Sequence, residues 1–141
     1  FLGAKLAPAY VRAVQKEGVM VVVKHFAFNE QELDRMTESS NVDERTAWEL
    51  YYPPFEAAIK AGAGAVMCAY NKVNGTPACQ HTGLLLRDLK EKMGFAGFVM
   101  SDWWATHSTR SLERGLDMEM PTGRFLKDAR LANVSHAAVR A

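Results

Sequence analysis

The sequence has little to offer a membrane, a nucleic acid or a metal. No run approaches the ~20 apolar residues of a bilayer span, so there is no candidate transmembrane helix. Lysine and arginine number 17 against 16 aspartates and glutamates, which leaves no basic stripe for a phosphate backbone or anionic lipid. No Gly-x-Gly-x-x-Gly turn and no phosphate-binding loop follows any strand-like stretch, so nucleotide binding has no support. Cys68 and Cys79 are the two cysteines and do not match a metal-ligand spacing. His81, His107 and His136 are isolated and read as surface or loop residues. The expectation is therefore no metal, no cofactor, no nucleic acid and no membrane partner. Phe1 to Pro8 lack the basic-then-apolar order of a signal peptide, and there is no starting methionine; the 141 residues read as an interior segment of a longer chain.

What is present is an alternation of helix-like and strand-like stretches without a linker or low-complexity segment. Leu6 to Lys16 has apolar residues at helical spacing and is ended by Gly18. Val19 to Val23 is a β-branched run, followed by a polar loop over Ala27 to Asn41. Asp43 to Ala61 reads as a helix that Pro53-Pro54 must kink or split. Ala65 to Ala69 is a second buried strand, Tyr70 to Thr82 a turn-rich loop, and Gly83 to Lys92 a helix closed by Gly94. Phe95 to Ser101 is the third strand, Ala105 to Arg114 is again helical, and Leu116 to Met120 forms a short fourth strand stopped by Pro121. Strands this apolar, separated by helices, predict parallel pairing in an α/β fold. Without a nucleotide-binding turn, part of an eight-fold (β/α) barrel of the TIM type is favoured over a doubly wound sheet.

The strand ends carry the chemistry. Val23 runs into Lys24-His25, Ala69 into Tyr70-Asn71, and Ser101 into Asp102-Trp103, so a parallel sheet gathers these residues on one face. Asp102 is the first candidate for a catalytic group. Ser-Asp after a strand can equally cap a following helix, and each polar strand end taken alone can be a routine terminator. Lysine and histidine can donate to the hydroxyls of a polar ligand, tyrosine can orient a carboxylate, and tryptophan offers an apolar platform for a sugar ring.

A longer set of motifs runs in order along the chain. It comprises Val23-Lys24-His25-Phe26 with Asn29-Glu30-Gln31-Glu32, Asp43-Glu44-Arg45-Thr46, and Tyr52-Pro53-Pro54-Phe55-Glu56. Gly64 to Asn71 with Asn74-Gly75, Gly94-Phe95 with Gly97 to Trp103, and Gly115 to Pro121 complete it. Together these resemble glycoside hydrolase family 3. The resemblance implies the later part of an amino-terminal barrel domain in a retaining exo-acting β-glycosidase, with the second, acid-bearing domain outside residues 1–141. It implies Asp102 as nucleophile, Trp103 bordering the glucose subsite, Lys24 and His25 bonding sugar hydroxyls, Tyr70 beside the nucleophile and Met67 walling the pocket. Met67 by itself would read as core. Glu44 and Arg45 read as structural, and the role of Arg35 is left open.

The loop after Lys24-His25 lacks the His-x-Gly-Asp pattern of the branch that removes N-acetylglucosamine, and Asn29 to Glu32 resembles the β-glucosidase branch. The implied substrate is a β-linked gluco-oligosaccharide or an aryl or alkyl glucoside. A β-xylosidase of the same family and a non-catalytic sugar-binding homologue stay open, as does an unrelated Schiff-base enzyme using Lys24. Cys68 and Cys79 flank the Tyr70 to Ala78 loop. They suit either two unlinked buried thiols or a disulfide, the latter in a secreted or periplasmic enzyme.

Overall fold

The structure, a computed structural model, describes residues 1–127. His136 lies outside the described residues.

Helix α1, Leu2–Lys16, leads into strand β1, Val22–Phe26. Strand β2, Ser39–Ser40, precedes a helical segment of three parts: α2, Glu44–Thr46, a π turn, Ala47–Tyr51, and α3, Pro53–Lys60. Strand β3, Ala65–Cys68, is followed by β4, Lys72–Val73, and β5, Thr76–Pro77. A π helix, Gly83–Lys92, then leads to β6, Phe98–Ser101, and a 3-10 turn, Thr109–Arg114. Strands β1, β3 and β6 form one parallel sheet in that order, as the alternation of the sequence predicts. No closed barrel forms among the described residues.

Helix boundaries follow local chemistry. The side chain of Asp43 accepts the Thr46 N–H at 2.9 Å and the Thr46 hydroxyl at 2.7 Å, capping α2. These bonds hold the Asp43 carboxyl below its ordinary pKa. Glu44 pairs with Lys92 at 2.7 Å and Arg45 with Glu49 at 2.8 Å on the surface of the segment. Pro53 and Pro54 occupy the first turn of α3, where their missing N–H groups cost nothing, and the expected helix is split there.

Several expectations give way. The first strand is displaced from Val19–Val23 to Val22–Phe26 because pairing with β3, and not the apolar run itself, sets its ends; Val19 and Met20 are more than half exposed. Consequently Lys24 and His25 lie within β1, at a register shift between Val23 and Phe26. The third strand begins at Phe98, since Gly97 is occupied by a close approach of β3. A Cβ at Gly97 would sit 2.2 Å from the Gly64 carbonyl oxygen. The helix expected over Ala105 to Arg114 shortens to the 3-10 turn Thr109–Arg114, because Ala105 is committed to a turn through its N–H bond to the Asp102 carbonyl at 3.1 Å. The fourth strand reduces to a single parallel bridge between Met100 and Met118.

The two segments expected as loops contain a second small sheet. Here β2 pairs in parallel with β4, and β4 turns into β5 through Asn74-Gly75, both at positive φ as a two-residue hairpin requires. The Asn74 amide brackets residue 42, accepting its N–H and donating to its carbonyl, each at 2.9 Å. The loop after β1 is thereby fastened to the loop after β3.

Behind the parallel sheet, Val66 and Val99 pack with Leu84, Leu85 and Leu89 of the π helix in the main core. Tyr52 centres an aromatic group, with Phe26 at 5.5 Å, Phe28 at 5.4 Å and Trp48 at 5.0 Å between ring centroids. Its hydroxyl donates to buried Asp88 at 3.0 Å, and burial, reinforced by that carboxylate, pushes the phenol pKa far up. Cys68 and Cys79 form a disulfide with Cα atoms 5.2 Å apart, which resolves the two readings of their spacing. His81 is half-buried and structural: its Nδ1 accepts the Leu84 N–H at 3.0 Å at the start of the π helix.

Closing an 11-residue separation with a disulfide is worth about 3 kcal/mol in the chain-entropy account. The intact protein is therefore expected to melt at lower temperature in reductant. The Cys68→Ala/Cys79→Ala double variant should match the reduced protein and lose its response to reductant. Identical melting of the unaltered protein in both conditions would contradict this.

Candidate active site

The parallel register delivers three polar residues to the carboxyl edge of the sheet. Cys68 pairs with Ser101 and with Phe26, so Tyr70 and Asp102 follow strands that end level with one another, and His25 lies just short of the same line on β1. Asp102 is only 7% exposed. Its Oδ1 accepts the Trp103 N–H at 2.7 Å, its Oδ2 is 3.3 Å from His25 Nε2, and the Tyr70 hydroxyl hydrogen-bonds the same carboxyl group. Backbone, imidazole and phenol thus fix the orientation of one carboxylate.

The protonation of its two side-chain partners follows from their surroundings. Burial lowers the His25 pKa below 6.5 and outweighs the opposing pull of Asp102, while the charges of Lys24 and Arg35 push the same way as burial. His25 is accordingly neutral at pH 7. Burial, and then the bond to Asp102, raise the Tyr70 pKa, so the phenol keeps its proton and donates.

The remaining candidates are spread around this core. Lys24 is exposed beside His25 on β1, and no bond from it to Asp102 is seen among the described residues. Met67 is buried on β3, level with Met100 of β6. Trp103 is 38% exposed beside the carboxylate.

The arrangement adds a residue whose role the sequence leaves open. The Arg35 guanidinium lies 4.9 Å from the Tyr70 ring centroid and pairs with Glu32 at 3.1 Å. Its only sequence signal is a cation at the end of the loop that β2 and β4 fasten over the sheet edge. Asn71, which shares a strand end with Tyr70, is instead a fully buried brace. Its amide donates to the Ala27 carbonyl at 3.2 Å, the Ser40 hydroxyl at 3.3 Å and the Lys72 carbonyl at 3.1 Å.

The glutamates of interest are engaged elsewhere. Glu32 holds Arg35, Glu44 holds Lys92, and Glu119 accepts the N–H groups of Phe125 and Leu126 at 2.8 Å each. Glu30 is pushed to higher pKa by burial, and the nearby Glu38 charge acts in the same direction. No group of three or more His, Cys, Asp or Glu side chains suited to a metal ion occurs among the described residues.

Comparison with known proteins matches this geometry to a family. A β-glucosidase of Rhizobium radiobacter is 52% identical over 122 residues, covering 85% of this chain and 15% of its own. The solved β-glucosidase of Streptomyces venezuelae in complex with D-glucose superposes with a TM-score of 0.89 at 41% identity, covering 94% of this chain and 19% of that one. The β-D-glucoside glucohydrolase of Trichoderma reesei gives a TM-score of 0.90 at 42% identity, with 94% and 20% covered. The chain therefore spans a fifth or less of the length of each of these proteins. Residues 2–138 match the glycosyl hydrolase family 3 N terminal domain, and the chain belongs to that family.

Proposed function

We propose that this chain carries the nucleophile half of the active site of a retaining, exo-acting β-glucosidase that removes terminal non-reducing β-D-glucosyl residues. The observation that carries this reading is the convergence of His25 and Tyr70 on the buried Asp102 at the carboxyl edge of a parallel sheet. The β-glucosidase names of the relatives, and the D-glucose in one of the superposed structures, supply the substrate class. The three parallel strands are read as consecutive strands of an eight-fold (β/α) barrel, completed by other parts of the same protein.

In this mechanism an Asp102 oxygen attacks the anomeric carbon as the glycosidic bond breaks, forming a covalent glycosyl ester. A second carboxyl group, roughly 5 Å away across the bond, protonates the leaving oxygen. It then takes a proton from the water that cleaves the ester, and the two inversions give net retention. The resemblance to family 3 implies that the acid comes from a part of the protein outside this chain, and the engagement of Glu32, Glu44 and Glu119 with other partners is in keeping with that. Lys24 and His25 are assigned to sugar hydroxyls, Trp103 and Met67 to the walls of the glucose subsite, and Tyr70 to orienting the nucleophile. The disulfide favours a secreted or periplasmic setting, where such bonds persist.

Two measurements on the intact enzyme test these assignments. A 2-fluoro glucoside with a good leaving group should trap the intermediate on a peptide containing Ser101-Asp102-Trp103. Label on another carboxylate would remove Asp102 from the role. Lys24→Ala and His25→Ala should each weaken transition-state binding of a glucoside by ~1–3 kcal/mol, read as a loss in kcat/KM with the melting temperature retained. Unchanged kinetics in both variants would return the pair to a structural role.

A further inference from the structure

Trp104 has no part in the assignments above, yet its conformation is the least expected beside the site. The N–H of Ala105 donates to the carbonyl of Asp102 at 3.1 Å, which makes residues 102–105 a tight turn with Trp103 and Trp104 at its centre. Trp104 has φ 63°, whereas Trp103 is not in the positive-φ region. A turn with this pattern demands a left-handed third residue, the position glycine fills by default. A bulky aromatic residue there is an outlier held by its surroundings. The holding contacts are visible: Trp104 N–H donates to the Met120 carbonyl at 3.0 Å, and Met120 N–H donates to the Ser101 hydroxyl at 2.9 Å.

Within this chain the indole so held gains little from packing, being 62% exposed against 38% for Trp103 and 7% for Asp102. Glycine would relieve the backbone and remove the exposed apolar surface together. An indole kept against both of those costs, two residues from the carboxylate, points to contact with a ligand. The three residues grade from buried carboxylate to half-exposed indole to open indole, which orders them from the reacting carbon outward.

We propose that Trp104 is an aglycone-side platform, stacking its ring on the apolar C–H face of the sugar or other ring that leaves with the glycosidic oxygen. The proposal rests on the β-glucosidase reading, in which the terminal sugar is enclosed and the leaving group extends toward solvent. An exposed ring at this place would bind leaving groups that offer a flat apolar face and would have nothing to grip in a monoatomic one.

The test uses the full-length enzyme with Trp104→Gly and Trp104→Phe. Two substrates are compared: cellobiose, whose leaving group is a sugar ring, and β-D-glucosyl fluoride, whose leaving group is a single atom. The ratio of kcat/KM for cellobiose to that for the fluoride is expected to fall about tenfold in Trp104→Gly, as the loss of a stacked face worth one or two buried carbons would give. In Trp104→Phe it should fall by less than about threefold. A ratio unchanged in Trp104→Gly overturns the platform whatever happens to the absolute rates, and together with a lower melting temperature it assigns the indole to packing. Failure of the unaltered enzyme to cleave the fluoride would instead sink the glucosidase reading, and the platform with it.

Discussion

The site depends on how closely β6 can approach β3. At Gly97 the two backbones come so near that a methyl group would lie 2.2 Å from the Gly64 carbonyl oxygen. That approach leads into a continuous parallel register, Ala65 with Phe98 through Cys68 with Ser101, which brings Asp102 level with the residues that follow β3. A slip of one residue would turn every side chain to the opposite face and would move the carboxylate away from its partners. Strand β1 joins the same register through Val22 and Val23, and its irregularity before Phe26 falls where Lys24 and His25 sit. The chemistry at the edge is thus fixed by backbone spacing set several residues earlier.

Such an edge needs support from behind and above. Behind it, the disulfide joins the last residue of β3 to the segment preceding the π helix. The Tyr52 hydroxyl meanwhile satisfies a carboxylate, Asp88, that would otherwise be buried without a protein donor from the aromatic group. Arg87 pairs with the same carboxylate at 2.7 Å, so the buried charge is compensated from two directions. Above it, the small β2-β4-β5 sheet ties the loop carrying Arg35 to the segment just after Tyr70. The cation over the Tyr70 ring depends on that brace.

The sequence made the parallel α/β alternation readable, along with the polar strand ends that meet at Asp102, because both are written in local pattern: apolar runs, then a polar terminator. What it concealed are features set by partners distant in the chain. Strand β1 shifts three residues from its apolar run because Ala65 and Val66 choose its register. The second sheet has strands of two residues each, too short for any periodicity, and its Asn74-Gly75 turn is the one local trace of it. Ala105 to Arg114 has helical composition, but Ala105 is already spent in the turn that follows Asp102. Arg35 could not be assigned from its neighbours in sequence, since its meaning comes from Tyr70, which lies on another strand end.

Charge around Asp102 is arranged in two zones. Around the carboxyl group a backbone N–H and a protonated phenol donate, and a neutral imidazole lies 3.3 Å away, so none of the three brings a formal positive charge. The cations stand one step back, Lys24 beside His25 and Arg35 over Tyr70, and their fields help keep the proton off the imidazole. In the proposed mechanism a charged His25 would form a tight ion pair with the carboxylate, lower the nucleophilicity of its oxygen and have to be separated from it during attack. Neutral donors orient the oxygen and leave its electrons available. In the proposed mechanism the exposed Lys24 is the cation left to meet a hydroxyl group of the sugar, while Arg35 is held by Glu32 and by the Tyr70 ring and acts on the carboxylate only through that phenol.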